Sequence, residues 1–386
     1  MSLLGKALKS NFNLIKVWAY IKRHLSDHAL KVIYYSGLYV DKLTDADSFY
    51  EKLKNYPEAL KEDELRKTAI FLRKANDRNL YGKILQKFVP QMTMNFTKTK
   101  FIGTGCGSYN LNAFRKVMFN DKIFFEKVHF NSSDEIIRLN WFYDNIFSLM
   151  NDDLKAPQLC YSFIGELITI FYFEYVDLIS LSDKEVDTNI FNLSRELYKL
   201  SQLSEVRNNI DEASIFLKDY TIYFEYERKI DDAKKRAFDL IGDSFSFENV
   251  EKVISKSTAI LSHGDIHRGN AFANNYLIDW DTFGVYPIGL DVAYSLLFLE
   301  QCKLNYKELI HILEREYINT IEKEEWDDFL LNCLYFYYVF TIQSSNEKSS
   351  KEVQTDILNR IVELYNKKTD SANVASSSVA INYEHV

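Results

Sequence analysis

Six polar residues with chemical reach fall in one short stretch: His263, Asp265, His267, Asn270, Asp279 and Asp281. An Asp two residues after a His, on a loop, can accept a proton from a substrate hydroxyl. Asn270 follows five residues later, and its amide oxygen is a hard ligand for a divalent cation. Residues 271–280 read as a tight hairpin turning at Asn274 and Asn275, because Asn tolerates positive φ. That hairpin would return Asp279 to the side of Asp265 and Asn270. Asn270 and Asp279, with phosphate oxygens and water, would make a Mg²⁺ site. The spacing suits chemistry on a phosphate.

Such residues need a scaffold. The 386 residues allow two domains and a small third. With 47% hydrophobic residues, 12 Gly and 4 Pro, the composition favours a large core and long helices over loop-rich β folds. The four cysteines, 106, 160, 302 and 333, have neither metal-ligand nor disulfide-framework spacing, so a reducing cytoplasm is expected. The start lacks the apolar core of a signal peptide. The richest apolar run, 334–342, is too short to span a bilayer and reads as a buried helix.

Residues 1–100 hold 19 Lys/Arg against 10 Asp/Glu, whereas the rest hold 28 against 45. This asymmetry predicts two differently built parts and argues against a nucleic-acid protein. Residues 1–95 read as helical, with Leu4, Leu8, Phe12, Ile15 and Trp18 on one face and Lys9, Lys16 and Arg23 on another. Such a basic amphipathic helix docks on the acidic remainder of the chain or on an anionic membrane surface. From 96 the pattern becomes strands over 101–130, a helix over 134–150, and two strands over 160–179 joined at Gly165-Glu166. Helices follow at 188–203 and 209–240, then the polar stretch, then mostly helix to 368. The Ser-, Ala- and Asn-rich end from Thr369 reads as a disordered tail.

The run His263, Gly264, Asp265, Ile266, His267, Arg268, Gly269, Asn270, followed by Leu277, Ile278, Asp279, Trp280 and Asp281, resembles the catalytic signature of the aminoglycoside phosphotransferase and choline kinase superfamily. These are small-molecule kinases. The resemblance implies an α+β, bilobal protein-kinase-like fold: an antiparallel-sheet N-lobe over 96–176 and a helical C-lobe over 177–368, with a helical N-terminal extension. It implies that Asp265 orients or deprotonates an acceptor hydroxyl, while Asn270 and Asp279 hold Mg²⁺ on ATP. His263 would brace the loop, His267 would be structural, and Asp281 would assist behind the metal ligands. Asp291 would be the buried Asp that hydrogen-bonds the catalytic loop.

The strand-rich region fits that reading. Gly103, Gly105 and Gly107 stand between the first two strands, where backbone amides approach phosphates closely. By resemblance, Lys127 would bind phosphate, Glu135 would be its acidic partner, and 174–176 would edge the adenine, with Glu174 and Val176 at its limits. The acceptor is a small molecule. Acidic residues over 300–328, among them Glu316, Glu325, Asp327 and Asp328, would suit a cationic one, and a sugar is equally open. The alternative is a catalytically silent nucleotide-binding protein on the same fold. A metallophosphoesterase would need further metal motifs, yet only His311 and His385 follow. A protein kinase would carry Asp-Phe-Gly and Ala-Pro-Glu, both absent. The oligomeric state is left open.

Overall fold

The structure, a computed structural model, describes residues 97–381 except 105–112, 131–132, 166–167, 214, 300–305 and 343–350, together with Val89, Gln91, Met94 and Phe96. The expected N-terminal helices, and any membrane or protein contact through them, lie outside the described residues. The chain divides into two compact units, residues 1–131 with 159–175, and residues 132–158 with 176–386.

The first unit is built on a five-stranded antiparallel sheet. Its strands are β1 (Lys98–Thr104), β2 (Ala113–Phe119), β3 (Lys122–Phe130), β4 (Leu159–Ile164) and β5 (Ile168–Glu174), in the order β1-β2-β3-β5-β4. Asn120 and Asp121, at φ of 48° and 59°, form the two-residue turn between β2 and β3. Side chains alternate across the pleat. Glu126 thus points to one face, where its two oxygens accept from Arg115 Nε and Nη2 at 2.8 and 2.7 Å in a fully buried pair. Lys127 points to the other face, buried, with its ammonium 5.7 Å from the Phe114 ring centre. Losing one partner of the Arg115–Glu126 pair would strand a charge in the sheet.

In the second unit, α1 (Ser133–Asn145) precedes the helices α2 (Asp183–Ser201), α3 (Ser204–Glu212), α4 (Ile215–Lys218), α5 (Phe224–Ile241) and α6 (Phe247–Ile254). Then come β6 (Ala259–Ser262), β7 (Ala271–Phe272), β8 (Tyr276–Leu277), β9 (Gly284–Pro287) and α7 (Leu290–Ser295). The unit ends with α8 (Tyr306–Tyr317), α9 (Trp326–Thr341) and α10 (Lys351–Ile381). Helix α9 is the core rod: every residue from 329 to 342 is buried, and it packs against α5, α7 and α10. No helix among the described residues is long and apolar enough to cross a membrane.

Three expectations change. The helix expected over 209–240 is three pieces, because Ala213 and Tyr223 adopt extended backbone and Asp219 caps a short turn through the Thr221 amide. Segment 132–158, assigned by sequence to the N-lobe, packs instead within the second unit. The cause is aromatic: Phe142 stacks on Trp280 at 4.2 Å and Trp141 on Phe283 at 5.7 Å. Finally, α10 runs on to Ile381 through the expected disordered tail. Between 369 and 381 there is no Gly or Pro to stop it and there are three Ala to favour it.

Candidate active site

The 263–270 loop leaves the end of β6 and is fixed from below. Asp291, in the first turn of α7, accepts from the His263 and Gly264 amides, both at 2.7 Å. Gly264 has φ of +80°, and a Cβ there would stand 2.5 Å from the Thr282 carbonyl oxygen. Two further bonds close this corner: the Tyr223 hydroxyl donates to the Gly264 carbonyl, and Thr282 Oγ1 donates to the His263 carbonyl at 2.9 Å. The loop is therefore held by three segments distant in sequence.

His263 is fully buried. Its Nε2 lies 3.0 Å from the Ile278 carbonyl, and its Nδ1 accepts from the Asp265 amide at 3.2 Å. Only the neutral ring protonated at Nε2 satisfies both. Burial pushes its pKa down to about 4, although the Asp265 and Asp279 carboxylates pull the other way. Both ring nitrogens are thus engaged by backbone groups.

Asp265 is partly exposed at the loop's crest. Asn270 Nδ2 donates to both its carbonyl and its Oδ2, at 2.9 and 3.1 Å. With the amide nitrogen so used, the amide oxygen of Asn270 is left for another partner. The turn at Asn274 and Asn275, with φ of 60° and 64°, closes the β7–β8 hairpin. The Ile278 amide then donates to the Asn270 carbonyl at 3.0 Å, which brings the exposed Asp279, at φ of 68°, alongside Asn270. An amide oxygen and an exposed carboxylate, both hard oxygen donors, fit Mg²⁺.

His267 turns back on the loop: its Nδ1 accepts from the Gly269 amide at 2.8 Å and its Nε2 lies 3.5 Å from Asp265 Oδ2. Asp281 is buried behind the loop, in the turn that carries Trp280.

The other expected residues are dispersed. Gly103 lies within β1, where the pairing register shifts between Phe101 and Gly103. Gly105 and Gly107 lie outside the described residues. Lys127 sits in β3 paired with Phe114 and Phe171, and Glu174 ends β5 opposite Phe124. Val176 opens the longer segment of the second unit. Glu135 is in the first turn of α1, in the second unit, whereas Lys127 is in the first. Four of the acids suggested for a cationic acceptor are engaged in the fold. Glu316 pairs with Arg195 at 2.7 Å, Glu325 accepts from Tyr198 at 2.8 Å, Asp327 pairs with Lys367 at 2.6 Å, and Asp328 pairs with Lys368.

Sequence reading missed Tyr223 and Thr282. Tyr223 gave no local signal, being 41 residues from its partner.

The two buried groups set opposing pH effects. Burial pushes the Asp291 carboxyl up from 3.8 to about 7, against the two amides that favour its charge. The folded chain then holds more protons than the unfolded one between those values, so this contribution to stability is lost as pH rises from about 4 to 7. His263 does the reverse, because its pKa falls from 6.5 to about 4, and its contribution is lost as pH falls through that window. The two contributions oppose each other over this range. In H263N, melting curves should show stability falling as pH rises from 4 to 7.

No protein-family model matches the chain, and no curated protein does. Solved structures are similar to it. An ethanolamine kinase of Plasmodium vivax is 12% identical with a TM-score of 0.40, over 85% of this chain and 95% of that one. A spectinomycin phosphotransferase bound to ADP and spectinomycin is 13% identical with a TM-score of 0.36, over 73% and 95%. An aminoglycoside-3'-phosphotransferase of type VIII is 13% identical with a TM-score of 0.40, over 67% and 97%.

Proposed function

We propose that this chain is an ATP- and Mg²⁺-dependent phosphotransferase that moves a γ-phosphate to a hydroxyl of a small molecule. The observation that carries this reading is the Asn270 side chain. Its amide nitrogen fixes the Asp265 carboxylate at 3.1 Å while its backbone carbonyl takes the Ile278 amide at 3.0 Å. One residue thus ties a proton-accepting carboxylate to the neighbourhood of a second carboxylate, Asp279.

In this reading Asp265 accepts a hydrogen bond from the acceptor hydroxyl and orients its oxygen for in-line attack. The neutral His263 ring holds the Asp265 amide, so the carboxylate cannot swing with its backbone. Asn270 and Asp279 would hold the metal, which when bound neutralises charge on the phosphate oxygens. Lys127 would bind phosphate, the Gly103–Gly107 segment would offer backbone amides, and Glu174 to Val176 would edge the base. The ion pairs of Glu316, Asp327 and Asp328 weaken the case for a polycationic acceptor, and a sugar or amino alcohol fits as well.

The test is transfer of labelled γ-phosphate from ATP across aminoglycosides, choline, ethanolamine, and free and glycan-linked sugars. Transfer to at least one class is expected, and EDTA should abolish it. Nucleotide binding without transfer to any acceptor, or transfer indifferent to EDTA, would sink the proposal.

A further inference from the structure

We propose that residues 1–88 of this chain cover the Glu126 face of the five-stranded sheet, so that the N-terminal extension is a layer of the first unit and not a free arm. The inference is independent of the phosphotransferase reading. On that face stand Arg115 and Val117 from β2, Glu126 and Val128 from β3, and Ile170 and Tyr172 from β5. Arg115 is 2% exposed and the other five are 0% exposed. The opposite face is closed as well, with Lys127, His129 and Phe171 buried. An antiparallel sheet with one face in water alternates apolar and polar residues. A sheet buried on both faces is the middle of three layers.

Something must therefore lie on the Glu126 face. Among the described residues outside the strands, Phe96 does: its ring centre is 5.5 Å from that of Tyr172 and 5.3 Å from the Arg115 guanidinium. Yet β2, β3 and β5 together are about 10 Å across, more than one ring can shield. The Arg115–Glu126 pair sharpens the point, because charges so fully withdrawn from water need a close-fitting cover. The chain before β1 reaches this sheet from within the fold: Val89 is 0% exposed, and Gln91 Nε2 donates to the Ile164 carbonyl of β4 at 2.6 Å. Just upstream, Ile84, Leu85 and Phe88 supply apolar side chains, and residues 1–131 cluster in one unit with the sheet. This assignment decides between the two dockings open to a basic amphipathic segment. Its apolar side chains are committed to the sheet and not to a membrane, and its excess of Lys and Arg faces water.

The experiment uses the full chain with the photoreactive residue p-benzoylphenylalanine in place of Tyr161 or of Phe163. Both stand on β4 at the margin of the same face, with ring centres 5.7 Å from Phe124 and 6.0 Å from Tyr172, and neither is fully buried. After irradiation, mass spectrometry should find cross-links to peptides within residues 1–88. The map should be unchanged when vesicles of phosphatidylserine and phosphatidylcholine are added. Cross-links instead to residues 132–158 or 176–386, to a second copy or to lipid, or none from either position, would overturn the proposal. Two positions are used so that, if one variant folds poorly, the other decides.

Discussion

Replacing Asp265 by Asn should lower the transfer rate by roughly a hundred- to ten-thousandfold, the range that general-base groups contribute, with Mg-ATP affinity within about twofold of wild type. The reason is local. An amide cannot take a proton from the acceptor, and its NH₂ would confront the Asn270 NH₂ now 3.1 Å from Oδ2. The variant should fold, because the loop is held by the backbone bonds from Asp291, Tyr223 and Thr282 and not by the Asp265 carboxylate. Initial rates of labelled phosphate transfer, with calorimetric titration of Mg-ATP, check both halves. More than a tenth of wild-type activity in D265N would rule out the assigned role. Asp265→Ala separates the two contributions, since it removes the proton acceptor without adding a donor.

The second large effect is on the fold itself. Asp291→Ala leaves the buried amides of His263 and Gly264 with no acceptor. Each orphaned buried donor costs about 1–3 kcal/mol, so the variant should lose about 4 kcal/mol. For a unit of this size that is a fall in thermal midpoint of roughly ten degrees. Turnover should fall as well, because His263 would no longer present Nδ1 to the Asp265 amide. Asp291→Asn should be milder: one oxygen still accepts, and the neutral amide resembles the protonated carboxyl that burial favours below about pH 7. Differential scanning of wild type, D291A and D291N gives the order. Equal midpoints for D291A and wild type would show that the Asp291 bonds do not hold the loop.

The 263–281 stretch was legible because its logic is local. The Asn274-Asn275 turn, the return of Asp279 and the nearby Asn270 all follow from residue type and spacing within nineteen residues. The strands were legible for a similar reason: period-two apolar runs and an Asn-Asp turn mark them out. What failed were features set by distant packing. Nothing near Trp141 and Phe142 announces that they will stack on Phe283 and Trp280 and so tie α1 to the second unit. Tyr223 was silent because a helix-entry Tyr looks like core until its hydroxyl is seen on the Gly264 carbonyl. The charges of Glu316, Asp327 and Asp328 were visible, but their partners Arg195, Lys367 and Lys368 lie on other helices.

The stack of Phe142 on Trp280, with the Arg138 guanidinium on the Tyr286 hydroxyl at 2.8 Å, makes α1 a strut bolted to the turn beside Asp279. A strut of that kind transmits force and does not hinge. Swinging α1 to switch activity would mean prising apart two aromatic faces and a buried hydrogen bond. Any change that frees the turn beside Asp279 from α1 would therefore have to break both contacts.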